Sequence, residues 1–436
     1  MTGFRTAISV SRRPAAAFLA MGIVWGTFMA TMPDIKAALG VDDGAMGFLL
    51  LWGAVAAITT MILAPFIGAW LGRAALPLFT VLMGLALALQ SHAIGPLAFT
   101  LALMAMGAAT GALEVFMNAR LSAIEAARTM SLMNLNHALY ALGFGAAAAL
   151  TGLARAAGSS QSTILLTAAL IAVTLATFSY DKDGAIEGLV RDKSVAGGSQ
   201  ALGLVPILGG LLVLAGLMSE NSIEAWSALF IERDLGGAIG AGSYAPALLG
   251  LMMGIGRLAG QSVTRRIADF TLLTWGLILA VAGVALVVAA PSPAMAYAGF
   301  IVMGLGGSVI VPTTFAIIGR VSTSATRSRA IARVTVLGYV GYFVGPPLLG
   351  ITAEYAGLRM AFGLIAVILL MSLVVRSFLA RFIRKSQRSR PMAKRGCKFS
   401  ASSHAASKSG SGAAGSLPKR CASSPPVTNT ASIPSA

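Results

Sequence analysis

Residues 47–73 read GFLLLWGAVAAITTMILAPFIGAWLGR, an apolar run with no ionisable side chain before Arg73. The hydrocarbon layer of a bilayer is about 30 Å thick, and about twenty apolar residues cross it as a helix. This run is long enough, and its first charge stands at the end, where a lipid headgroup or water can solvate it. Runs of the same kind cover 15–32, 75–90, 95–118, 132–153 and 163–180. After a polar stretch come 202–230, 244–260, 272–290, 294–318, 334–353 and 358–379. The pattern predicts an all-α membrane protein of about twelve transmembrane helices. Barrel strands would be short and alternating, whereas these runs are continuous.

Composition agrees. Hydrophobic residues make up 57% of the 436, and charged residues 11%, against about a quarter charged in a typical soluble domain. So much apolar surface calls for lipid as solvent, and the 50 glycines suit closely packed membrane helices. The net charge of +17 does not point to nucleic acid. The stretch from Arg381 onward holds 11 of the 32 Lys and Arg and no acid, and most of the other bases sit in the gaps between apolar runs.

Those gaps orient the chain. One set holds Arg5, Arg12 and Arg13, then Arg73, then Arg120 and Arg128, then Arg265 and Arg266, then Arg320, Arg327 and Arg329. The alternate gaps are poor in bases, with Lys36 beside three aspartates, His92, Arg155, Arg233 between Glu232 and Asp234, and Arg359. Basic gaps face the cytoplasm, so the expectation is a cytoplasmic (inner) membrane protein with both termini inside. Ser11-Arg12-Arg13 reads as the basic flank of the first helix rather than an export signal. Five regions follow: 1–14, a cytoplasmic N-terminus; 15–180, a six-helix bundle; 181–201, a central cytoplasmic loop; 202–380, a second six-helix bundle; and 381–436, a disordered basic tail.

The two bundles read as a repeat. The second run ends Gly68-Ala-Trp-Leu-Gly-Arg73 and the eighth ends Gly260-Gln-Ser-Val-Thr-Arg265, both G-x-x-x-x-R. The fourth and tenth share a Met-Gly pair at Met106-Gly107 and Met303-Gly304, and the fifth and eleventh end at Leu150-Thr-Gly152 and Leu348-Leu-Gly350. Parallel repeats of this kind place a binding site near the midplane between the halves.

With these elements the chain resembles the major facilitator superfamily, whose loop between helices two and three carries a G-x-x-x-D-R element. Gly72 stands here where the acid is usual. The resemblance implies a pseudo-symmetric pair of six-helix bundles and a cytoplasmic gate at Gly68 and Arg73, with Gly256, Arg257 and Arg265 in the second half. The likeness is greatest to the fucose-permease-like branch, including bacterial permeases of unassigned substrate. It rests on Met32-Pro33-Asp34-Ile35-Lys36, on Leu113-Glu114-Val-Phe-Met-Asn118, and on Asn134-Leu-Asn136-His137-Ala-Leu-Tyr140. It rests also on Ser219-Glu220 with Glu224-Ala-Trp226, and on Gly345-Pro346-Pro347. It implies that Glu114 is a protonation site, with Asn118 beside it. His137 and Tyr140 replace the amide side chains found in fucose permease.

Ionisable groups inside spans are costly and so mark transport paths. Glu114 and His137 fall at similar depth on neighbouring helices, where burial disfavours the charged form of each, and a proton-exchanging pair is expected. Asn118, Asn134, Asn136, Tyr140, Glu220, Asn221 and Glu224 are the expected lining of the substrate path. The absence of a Walker loop, a hydrolase triad and metal-ligand spacing predicts neither an enzyme nor a cofactor or metal site. The expected partners are a small-molecule substrate, protons and membrane lipids, with no nucleic acid, and the protein is expected to be a monomer. The leading reading is proton-coupled secondary transport of a small polar solute, sugar-like or organic-acid-like, by alternating access. Proton-driven efflux of drugs or metabolites on the same fold is one alternative. A non-transporting receptor or scaffold is the other.

Overall fold

The computed structural model describes residues 2–128, 130, 132–182, 203–263, 267–322 and 324–388. Most of the expected central loop, the tail from residue 389, and Arg265 and Arg266 lie outside the described residues. The described residues form helices and connecting turns, with no strand among them.

The first half comprises α1 (Thr2–Ala30), α2 (Asp43–Leu71), α3 (Ala75–Gln90), α4 (Gly95–Arg128), α5 (Met133–Ala156) and α6 (Gln161–Ser179). The second comprises α7 (Val205–Leu229), α8 (Tyr244–Val263), α9 (Asp269–Ala289) and α10 (Pro293–Val321). A continuous helical stretch, Ser324–Arg388, then breaks at Gly357, whose φ is +83°, into α11 (324–356) and α12 (358–388). Among the described residues twelve long helices result, as the apolar runs predict. Local chemistry explains several starts. Asp42 caps α2 by accepting a hydrogen bond from the Ala45 amide at 2.6 Å. Ser160 caps α6, and proline opens the first turns of α7 and α10.

Five helices depart most from the apolar limits: α11 begins ten residues early at Ser324, and α12 runs on to Arg388, so residues 381–388, expected in the tail, are helical. α1 begins at Thr2, so residues 2–14 are already helical, and α4 continues ten residues beyond Asn118 to Arg128. α10 is interrupted at Ser308 and Val309. Two glycines just before the break, Gly306 and Gly307, lower the cost of that irregularity.

The repeated motifs pack equivalently. A Cβ on Gly107 would stand 2.1 Å from the Gly53 carbonyl oxygen, so α4 touches the backbone of α2. Gly304 brings α10 equally onto α8, where a Cβ would lie 2.7 Å from the Leu249 carbonyl oxygen. The second pair of motifs joins the halves to each other. Gly152 of α5 meets the Gly240 carbonyl, with 2.7 Å left for a Cβ, and Gly350 of α11 meets the Asp43 carbonyl, with 2.5 Å. With no hydrophobic drive between helices in lipid, such close approach is the main source of packing energy.

Gly107→Val is therefore expected to lower stability by about 1–3 kcal/mol or more, since backbone, not a movable side chain, blocks the new methyls. Gly319→Ala, where no atom lies within 4 Å of the added carbon, is the control. Thermal unfolding in detergent, followed by loss of monodisperse protein, separates the two.

Candidate functional site

A cavity of about 900 Å³ lies between the halves. It is walled on one side by Trp25 of α1, Glu114 of α4 and Tyr140 of α5. On the other side stand Glu220 of α7, Arg257 of α8 and Tyr339 of α11. The cavity reaches Asp269 and Arg320, at the ends of α9 and α10 that lie on the same face as the start of α1. It therefore opens toward the face that carries the N-terminus of α1.

The opposite face is closed by ions as well as by glycine. Arg155, on the last turn of α5, has a side chain only 2% exposed. Its Nε donates to Asp34 at 2.6 Å and its Nη1 to Glu232, just past α7, also at 2.6 Å. Glu232 in turn accepts from the amides of Gly240 and Gly242 at 3.1 and 3.0 Å. A second crossing joins Arg233 to Asp43 at 2.8 Å, and Lys36 also reaches Asp43 at 3.0 Å. On the cavity's open face the described ion pairs stay within one half, as with Arg120–Asp181 and Arg320–Asp269.

Inside the cavity Glu114 accepts the Tyr339 hydroxyl at 2.9 Å, a hydrogen bond from the second half to the first. Asn118, one turn on, spends its amide on the Glu114 carbonyl at 2.9 Å. That leaves the Asn118 Oδ1 buried with no partner among the described residues. Glu220 accepts from Arg257 at 3.1 Å, and Asn221 donates to the Tyr342 carbonyl at 3.4 Å. Trp25 donates through Nε1 to Thr110 at 3.1 Å, which fixes its ring against the wall.

Of the residues singled out from sequence, Glu114, Asn118, Asn134, His137, Tyr140, Glu220, Asn221 and Glu224 line this cavity. Asn136 does not. It is fully buried in the bundle, and its amide bonds to the Leu132 carbonyl of its own helix at 2.9 Å. Glu114 and His137 are not joined by a hydrogen bond. The His137 ring instead packs edge-on against Phe18, centroids 4.9 Å apart. Gly256 and Arg257, expected at a gate, form part of the cavity wall. The lack of a Cβ at Gly256 lets Ser308, at the break in α10, approach closely. Gly68 is buried at the end of α2, and Arg73 is exposed without an ion pair among the described residues. Tyr339 and Tyr342 were not anticipated. Their spacing of three, with Pro346 a turn further, is the signal that places them on one face of α11.

The model of the Major Facilitator Superfamily matches residues 270–428. An uncharacterized MFS-type transporter of Yersinia pestis is 27% identical over 368 residues, covering 81% of this chain and 91% of that protein. Over these stretches the chain is similar to the major facilitator superfamily. Membrane protein MosC of Rhizobium meliloti is likewise 27% identical, over 79% of this chain and 84% of its own. Among solved structures, a D-xylose–proton symporter superposes with a TM-score of 0.68 at 12% identity, over 84% of this chain and 97% of that one. The nucleoside transporter NupG gives 0.66 at 15%, over 86% and 99%. At such identities these two structures speak for the fold alone. The likeness is to multi-pass membrane transporters, not to enzymes.

Removing Arg155 should favour opening on the closed face. In a background with Cys397 and Cys421 changed to Ser, Met29→Cys places a thiol in the cavity wall. Adding Arg155→Ala should raise its labelling by an impermeant thiol reagent, applied from the face opposite the α1 N-terminus, about tenfold. That is about 1.4 kcal/mol, at the low edge of what close charge pairs across interfaces contribute.

Proposed function

We propose that this protein is a proton-coupled secondary transporter of a small polar solute. In this reading it sits in the cytoplasmic membrane with both termini inside, and the structure is its inward-open state. The single observation that carries the proposal is Glu114, a carboxylate deep in the central cavity, tied across the two halves by Tyr339. An ionised Glu114 is the stronger acceptor for that hydroxyl. Protonation weakens the tie, so the proton that Glu114 carries also loosens one of the contacts that must change when access alternates. The basic gaps on the α1 N-terminal face support the orientation. The likeness of Leu113-Glu114-Val-Phe-Met-Asn118 to the fucose-permease-like branch supports the role of Glu114.

His137 lines the same cavity and serves as a relay between Glu114 and water rather than as its direct partner. Asn118, Asn134, Asn221 and Tyr140 supply the polar contacts to the solute. Gly68 and Arg73 mark the loop on the open side that would meet the second half when the cavity closes there.

Proteoliposomes loaded against a metabolite mixture and given an imposed pH gradient test this reading, with accumulated solutes read by mass spectrometry. The expected result is accumulation that follows the gradient. Glu114→Gln should cut it at least about tenfold, a loss of about 1.4 kcal/mol of coupling, while equilibrium exchange of the same solute continues. Tyr339→Phe should keep gradient-driven accumulation at a reduced rate. Accumulation by Glu114→Gln equal to that of the parent protein would sink the coupling claim.

A further inference from the structure

Three carboxylates stand in the central cavity, and the protein answers two of them. Glu114 has the Tyr339 hydroxyl and Glu220 has Arg257. At the mouth Asp269 and Arg320 neutralise each other at 2.8 Å. Glu224 is left. It lies one turn beyond Glu220 on α7, is only 8% exposed, and lines the cavity. It has no hydrogen-bond or ion-pair partner among the described residues. The nearest cation, Arg257, is already committed to Glu220. A carboxylate buried without a counter-charge is costly to keep ionised, and a cation that visits the cavity would supply that charge.

The surroundings suit one kind of visitor. Tyr140 and Tyr342 stand within electrostatic reach of Glu224, from α5 and α11 respectively. Trp25 faces the same space from α1. Aromatic faces attract cations, most strongly where water is excluded. The unpartnered Asn118 Oδ1 adds an acceptor suited to an ammonium hydrogen or a hydroxyl. An anionic solute would meet Glu224 and Glu114 with no free guanidinium to receive it. A neutral polyol would satisfy the acceptors but bring Glu224 no counter-charge.

We propose that the cavity is a binding site for a small organic cation, an amine or quaternary ammonium bearing hydroxyl groups, with Glu224 as its counter-charge and Tyr140 and Tyr342 against its charged end. This names the cargo of the transporter proposed above and rests on that reading for its purpose. The occupant's polar remainder would meet Asn118 and Asn221. Glu224 here is a binding residue, distinct from Glu114, which carries the coupling proton.

The test uses the full chain in lipid nanodiscs at neutral pH, with matched probes. Glucosamine is compared with N-acetylglucosamine, choline with its uncharged carbon isostere, and ethanolamine with ethylene glycol. Glucuronate, sodium chloride and potassium chloride are run beside them. Affinity is read from intrinsic tryptophan fluorescence. At least one cation should bind about tenfold or more tighter than its neutral partner. Glu224→Gln should erase that preference while leaving the neutral partner's affinity within about twofold, and Glu224→Asp should restore part of it. A merely structural Glu224 would weaken both members of a pair alike. In the parent protein, which needs no variant to fold, the preferred cation should protect Glu224 from carbodiimide modification, and its neutral partner should not.

The proposal is overturned if no cation is preferred over its neutral partner, if the preference survives Glu224→Gln, or if sodium or potassium alone gives the same protection. Counterflow in proteoliposomes separates this failure from failure of the transporter reading. Saturable exchange of neutral or anionic solutes without cation preference removes the cation site and keeps the transporter. A Glu224-dependent cation that binds but never exchanges keeps the site and removes the transporter.

Discussion

The meeting of bare backbone at Gly152 with Gly240, and at Gly350 with Asp43, governs the arrangement of everything between the halves. Each contact joins the last turns of one half's fifth helix, or its equivalent, to the start of a helix in the other half. Neither tolerates a side chain. Because both lie on the face opposite the α1 N-terminus, the halves are drawn together there and diverge toward the other face, and the cavity is the wedge that results. The same closeness brings Arg155 within reach of Glu232, and Arg233 within reach of Asp43. The ion pairs are thus consequences of the backbone seam as much as supports for it.

The cavity inherits its chemistry from that wedge. α4 and α5 contribute Glu114, Asn118 and Tyr140 from one side, and α7, α8 and α11 contribute Glu220, Glu224, Arg257 and the two tyrosines from the other. Only Tyr339 and Glu114 share a hydrogen bond between these two walls among the cavity contacts described above. The polar groups are few, and Glu114, Glu220, Asn221 and Arg257 among them are held by a neighbour. The Glu224 carboxylate and the Asn118 oxygen, with the side chains of Asn134 and Tyr140, are what a solute can use.

The fold was legible because lipid imposes its demands one segment at a time. An apolar run such as 47–71, ended by an arginine, declares a span without reference to anything distant, and the G-x-x-x-x-R and Met-Gly repeats declare the second half. The site was legible in part. Glu114, Glu220 and Glu224 stand out because charge inside a span is rare. Their partners do not, because pairing across halves depends on how two bundles rest on each other. Glu114 and Tyr339 are 225 residues apart. Arg257 resembled a gate residue because it lies near a cytoplasmic loop motif, and it is the turn of α8 that brings it to the cavity wall. Asn136 sits between two cavity-lining residues, Asn134 and His137, on a helix whose turn directs it into the bundle.

The network around Arg155 has one more consequence. Asp34, which it binds, belongs to its own half, and Glu232 keeps the amides of Gly240 and Gly242 in its own half. If the two bundles separate, each ion departs with a companion. No charge is stranded bare at the parting surface, so separation forfeits only the attraction across the seam. Such a junction behaves as a snap fastener rather than as glue: it holds one position firmly, yet releases and re-engages without rebuilding either side.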